Sequence, residues 1–298
     1  MLPFEEKLLK RYRHSRDILV VAPGHDVLHP GAIGNSVEHL YVTLFTLTLA
    51  QLGMLAGIPI IHIVGDPAAY TAAGPRSYAA AIVEKRKRAV NIARGGHEAW
   101  LFEFHLNADP DPDVDPTKVA SGAMVIYNAA AHAPVARALA GQLSSYLRAM
   151  QAPMVARRNV IVEHRSNLGL LKPLHPAYHP FIVELGFVDN PDEMAWLWGN
   201  LTTYALAMLT ALNDVLHFVP QEELAVFTTS LRPQLVAQTP TAHSAASESM
   251  PMPQMAFDAL RQYIAGLAAT AASPGVEGKD GGQVVETDKQ EVKSDAES

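Results

Sequence analysis

The chain has 298 residues, 49% of them hydrophobic and 18% charged, the make-up of a globular protein with a sizeable core. It contains no cysteine, which excludes disulfide staples, thiolate metal sites and cysteine nucleophiles; any metal must be held by His, Asp or Glu, and 13 histidines are available. The formal charge of −7 is uneven, because residues 274–298 carry seven acidic and three basic residues; the remainder is close to neutral, and nothing in it points to nucleic acid.

Residues 1–16 alternate in charge and read as a short amphipathic helix or arm. They offer no continuous apolar stretch and no small-residue cleavage site, so no secretory signal is expected and synthesis is expected in the cytoplasm. Ile18–Val21 is the first strand, broken at Pro23-Gly24. The longest apolar segment, residues 40–63, contains Thr43, Thr46, Thr48 and Gln51 and is interrupted by Pro59. It reads as a helix over 38–56 followed by a buried strand over 58–64, and not as a membrane span. A loop over 66–75 leads into a helix over 76–94, ended by Gly95-Gly96.

Ala99–Leu106 is a further apolar strand, followed by an acidic, proline-rich loop over 107–116. The composition of that loop resembles a calcium loop, but its prolines and spacing argue against one. Strands over 122–128, 159–163 and 181–185 are expected, with a helix over 134–150 and one or two helices over 193–218. This alternation predicts an α/β domain whose mostly parallel sheet is covered by helices on both faces. Residues 221–298, rich in Pro, Ser, Ala and charge, are expected to form a largely disordered extension.

Four polar residues stand out against this background. His25 and Glu38 flank one glycine-containing loop, His105 ends an apolar strand, and Glu184 interrupts the apolar run Phe181–Leu185. In α/β sheets, sites form beyond the carboxyl ends of the strands, where His25, His105 and Glu184 are expected to lie. Taken singly, His25, Glu38 and His105 each read as an ordinary half-buried polar residue. A carboxylate at Glu184 is harder to dismiss, since burying it is costly without a cation or hydrogen bonds. His and carboxylate donors together suit Zn²⁺.

Taken together, the motifs resemble the zinc-dependent N-acetylmuramoyl-L-alanine amidases of the amidase type 3 family. Pro23-Gly24-His25, Gly31-Ala32-Ile33-Gly34 and Glu38 match that family's first motif, and His105-Leu106-Asn107 matches its second. Arg86 and Asn91 fit a helical Arg and Asn, and Glu184-Leu185-Gly186-Phe187 with Asn190 matches the last motif. The chain departs from the pattern at Ala22, Asp26 and Val27, and Pro180–Val183 is one residue short of the usual approach to the Glu.

The resemblance covers residues 17–215, so that 17–220 would be the catalytic domain. It implies His25, Glu38 and His105 as ligands of one Zn²⁺, Glu184 as catalytic acid/base, and peptidoglycan as substrate. The bond cleaved would join N-acetylmuramic acid to L-alanine of the stem peptide. Without a signal, a phage endolysin is one expectation and a bacterial autolysin exported by another route a second.

Two alternatives belong to other classes. A carboxypeptidase-like metallohydrolase would offer His-x-x-Glu, which is absent. A non-catalytic wall-binding protein would be free to lose Glu184. His29 and His39 are the histidines placed to orient a metal ligand; His62, His97, His164, His175 and His179 read as surface or structural residues. Lys85–Arg88 reads as a solvated helix face.

Overall fold

The computed structural model of the chain describes residues 3–26, 29–63, 78–109 and 120–236, all within the unit Met1–Glu248. Strands β1 (Asp17–Pro23), β2 (Ile60–His62), β3 (Glu98–Asn107), β4 (Met124–Tyr127), β5 (Ile161–His164) and β6 (Tyr178–Phe187) form one sheet in the order β2-β1-β3-β6-β4-β5. β2, β1, β3 and β6 are mutually parallel, β4 runs antiparallel to β6, and β5 is parallel to β4. The expected mostly parallel sheet is therefore present, with one reversal that hydrophobic patterning does not reveal.

β1 is buried on both faces, which is why its sequence is a continuous apolar run. Leu19, Val21, Phe102, Phe104, Phe181 and Val183 point to one layer, made by helices α2 (Glu38–Leu55), α4 (Ala133–Ala149) and α6 (Leu201–Leu216). Ile18, Val20, Leu101 and Ile182 point to the other, made by α1 (Pro3–Arg11) and α3 (Tyr78–Arg94). α2 meets the sheet on one side and α6 on another, so apolar residues occupy most of its circumference and it shows no clean stripe. Its threonines satisfy their hydroxyls within the helix, Thr46 donating to the Val42 carbonyl and Thr48 to that of Leu44. α5 (Pro191–Gly199) is capped by Asn190, whose side chain accepts from the Asp192 and Glu193 amides.

Two expectations need correction. Lys85–Arg88 is not a solvated face: Arg88 pairs with Glu5 of α1 and Lys85 with Glu103 of β3, all four buried, while Arg86 donates to the Gly169 carbonyl at 2.5 Å. Only Lys87 of the four is exposed. Successive helical residues turn by about 100°, so a run of four cations must aim some of them at the sheet. The second concerns residues 221–236, expected to be disordered, which form helix α7 (Gln221–Val236). Leu224 is buried and Phe227 packs on the α2–α4–α6 layer, enough apolar contact to order the helix. The loop over 66–75, the acidic residues 110–116 and the chain beyond 236 lie outside the described residues.

Two buried histidines give the fold an acid limit. His62 (8% exposed) bonds Thr46, and His132 (7%) bonds His179, which in turn bonds Glu98. Burial lowers both from 6.5 to about 4, the nearby His179 adding to the effect at His132. The unfolded chain takes up these protons near pH 6.5 and the folded one only near pH 4, so stability is lost as pH falls through that window. We expect urea unfolding at pH 4.5 to show a loss of about 2–3 kcal/mol per histidine relative to pH 7. His62→Gln should flatten that dependence by roughly half.

Candidate active site

β1 ends at Pro23, and the Gly24 amide still donates to the Phe104 carbonyl at 2.8 Å, which keeps the chain against β3 as it turns. His25 follows. Its Nδ1 lies 3.1 Å from the His29 carbonyl oxygen, a contact that, with Nδ1 carrying the proton, turns Nε2 toward the site. The backbone of His29, and not its ring, thus orients His25; that ring lies 3.1 Å from Asp26, and the His39 ring lies 3.4 Å from Thr43.

Glu38, the first residue of α2 and only 3% exposed, is the hub. One oxygen, Oε2, accepts from the Ala32 amide at 2.9 Å and so closes the loop that leads back to the helix. The other, Oε1, lies 3.4 Å from His25 Nε2 and 3.0 Å from His105 Nδ1, and accepts from the Leu106 amide at 3.0 Å. That amide is available because the β3–β6 register shifts between His105 and Asn107, a bulge at the end of the strand.

The donor atoms of His25, Glu38 and His105 all lie within 4.8 Å of one another. A tetrahedral ion with bonds of about 2.1 Å holds neighbouring ligand atoms about 3.4 Å apart, so the spacing and donor types suit zinc. Backbone close to the cluster must be glycine. A Cβ at Gly24 would overlap the His105 ring, and one at Gly31, whose φ is +75°, would meet Glu38 Oε2 and lie 2.7 Å from His25 Cδ2. Gly24→Ala should therefore displace His105 and, for zinc held by this donor set, weaken binding by at least tenfold, with a loss of about 1–3 kcal/mol from overpacking. Competition with a chromophoric chelator, run beside thermal melts, measures both.

Electrostatics distinguish the three candidate ligands. Burial lowers His25, and the Glu38 carboxylate only partly opposes it, so the imidazole favours its neutral, metal-binding form. Glu38 would be raised by burial, but the hydrogen bond and charge of His105, with smaller help from His25, hold it below the usual carboxylate range. His105 would be lowered by burial, yet the carboxylates of Glu103 and Glu38 lift it to about 10. A metal bound there must displace a proton.

Glu184 lies beside His105 in the β3–β6 register, on the neighbouring parallel strand. It is not sealed in an apolar core: the residue is partly exposed, while its Oε2 is buried without a hydrogen-bond partner. Burial raises its pKa, partly offset by His105 and reinforced by Glu38. Among the described residues the four sequence candidates thus converge on one site. Arg86 and Asn91 do not join it: Arg86 bonds Gly169, and Asn91 is exposed.

Sequence reading overlooked two neighbours. Glu103, two residues before His105 and 1% exposed, places Oε2 3.2 Å from His105 Nε2 and pairs through Oε1 with Lys85. Lys85 Nζ also donates to the Pro23 and Gly24 carbonyls at 2.8 and 2.9 Å. A second overlooked carboxylate, Glu193, braces the turn after β6 by accepting from the Phe187 and Gly122 amides and from Ser121.

The six-stranded sheet and its flanking helices have the fold of N-acetylmuramoyl-L-alanine amidase catalytic domains. The catalytic domain of CwlV, the N-acetylmuramoyl-L-alanine amidase of Bacillus (Paenibacillus) polymyxa var. colistinus, superposes with a TM-score of 0.50 at 13% identity, covering 68% of this chain and 99% of that one. The catalytic domain of the CD27L endolysin, which targets Clostridia difficile, gives 0.51 at 17% identity over 66% and 97% of the two chains. An N-acetylmuramoyl-L-alanine amidase from Clostridium difficile 630 gives 0.50 at 19% identity over 68% and 98%. No family model and no curated protein matches the chain by sequence.

Proposed function

We propose that residues 17–220 form a zinc-dependent N-acetylmuramoyl-L-alanine amidase acting on peptidoglycan, with His25, Glu38 and His105 as zinc ligands and Glu184 as the general base. The observation that carries this reading is the convergence of His25 Nε2, Glu38 Oε1 and His105 Nδ1 at the end of β1 and β3, with Glu184 in register beside His105. The shared fold with solved amidase catalytic domains supports it.

Three protein ligands leave a fourth position open, which is the arrangement of a catalytic zinc site. When bound, zinc supplies Lewis acidity, acidifying water and polarising the scissile carbonyl. Glu184 then takes a proton from the attacking water and passes it to the departing L-alanine nitrogen. Its raised pKa suits both halves of that transfer, since a stronger base gains the proton readily and a neutral acid can return it. Glu38 Oε1 stands 3.4 Å from His25 Nε2 and 3.0 Å from His105 Nδ1, so the carboxylate would hold the ion beside both histidines. Among the described residues, no helix is long and apolar enough to cross a membrane.

Digestion of purified peptidoglycan followed by mass spectrometry tests the reading. Free stem peptides beginning with L-alanine, beside intact glycan strands, are the expected products. Peptides shortened from their carboxyl ends, still attached to glycan, would instead indicate a carboxypeptidase-like enzyme and overturn the proposal.

A further inference from the structure

Glu103 and His105 are two residues apart on β3 and therefore face the same side of the sheet, toward α3. Glu103 is buried beside Lys85 of α3, also buried at 4% exposure. An isolated buried carboxylate or ammonium would be prohibitive, and apolar residues would pack there at least as well. The pair is further elaborated than charge neutralisation needs. All three ammonium protons of Lys85 have acceptors: Glu103 Oε1 and the carbonyls of Pro23 and Gly24. The remaining Glu103 oxygen faces His105 Nε2 at 3.2 Å.

We infer that Glu103 and Lys85 form a positioning pair that builds the metal site from behind. The inference rests on the zinc reading above. Glu103 accepts the Nε2 proton of His105 and so directs Nδ1, the nitrogen 3.0 Å from Glu38 Oε1, toward the ion. This is how a ligating histidine's tautomer is ordinarily fixed, by a carboxylate on its far nitrogen. Lys85 ties that carboxylate to the Pro23-Gly24 turn which delivers His25. One ammonium thereby references two ligands, on separate segments, to each other. His25 needs no carboxylate of its own, because the His29 carbonyl serves its Nδ1.

Two variants test the pair through zinc affinity in the full-length chain, measured by competition with a chromophoric chelator. In Glu103→Gln the amide oxygen turns to Lys85, so its NH2 group faces His105 Nε2 and favours the wrong tautomer. The double variant Glu103→Leu with Lys85→Met removes both charges at similar volume, so the gain from not burying them offsets the loss of the ammonium from the Pro23 and Gly24 carbonyls, and a zinc-free melt should show it folded. Both should bind zinc about 10–100-fold more weakly than wild type. Long-range nitrogen NMR of His105 should show Nε2 protonated in the zinc-bound wild type and a changed pattern in Glu103→Gln. Folded variants that bind zinc within threefold of wild type would overturn the positioning role while leaving the zinc site standing. A wild-type chain that takes up no zinc would overturn the metal reading itself, and this inference with it.

Discussion

Glu184→Gln should slow amide cleavage by about 10²–10⁴-fold, the contribution expected of a positioned general base, with zinc content unchanged. Glutamine keeps the shape of the side chain and cannot take a proton from water. Among the described residues Glu184 touches none of the three candidate ligands through a hydrogen bond that would be lost, and its Oε2 has no hydrogen-bond partner. The same observation predicts the opposite sign for stability. A carboxylate whose pKa is raised by burial is held at a cost at neutral pH, so the glutamine variant should melt at a higher temperature than wild type. Slower cleavage with higher stability is the signature of a residue kept for chemistry. Cleavage at the wild-type rate would remove Glu184 from the mechanism.

Glu38→Ala should be the most damaging single change to the site. It deletes a candidate ligand, the contact to both histidines, and the acceptors of the Ala32 and Leu106 amides. Two backbone donors lose their partners inside the cluster, and a loss of about 2–4 kcal/mol in folding stability is expected. Zinc content should fall to background and cleavage with it, by about 10³-fold or more. Elemental analysis of the purified variant and urea unfolding check the two halves separately. A fully zinc-loaded Glu38→Ala chain would show that the hub lies elsewhere.

The order of strands and helices was readable because most elements are long and strongly patterned. β1 and β6 announce themselves by apolar runs, and α4 by its alanine and leucine spacing. The four candidate site residues were readable because each is a polar residue at the end of, or inside, an apolar segment. Glu103 carries the same signal, a carboxylate within Glu98–Asn107, but its role depends on Lys85, which only folding brings to it.

Other features depend on partners far away in sequence. Lys85 and Arg88 look like surface cations until Glu103 and Glu5 are brought to them by folding. The reversed direction of β4 leaves no trace in its composition, and the bulge that frees the Leu106 amide has no proline or glycine to mark it. The orientation of His25 by a carbonyl is likewise invisible, since any residue at position 29 supplies one. Non-local pairing and backbone geometry, more than side-chain chemistry, are what the sequence withheld.

In the proposed mechanism, one zinc ion held by His25, Glu38 and His105 drives amide cleavage. A chelator titration followed simultaneously by zinc content and by release of stem peptides from purified peptidoglycan tests it most directly. One zinc per chain is expected, with a rate that falls in proportion as zinc is withdrawn and recovers when zinc is returned. Stem peptides released at an undiminished rate by zinc-free protein would contradict it.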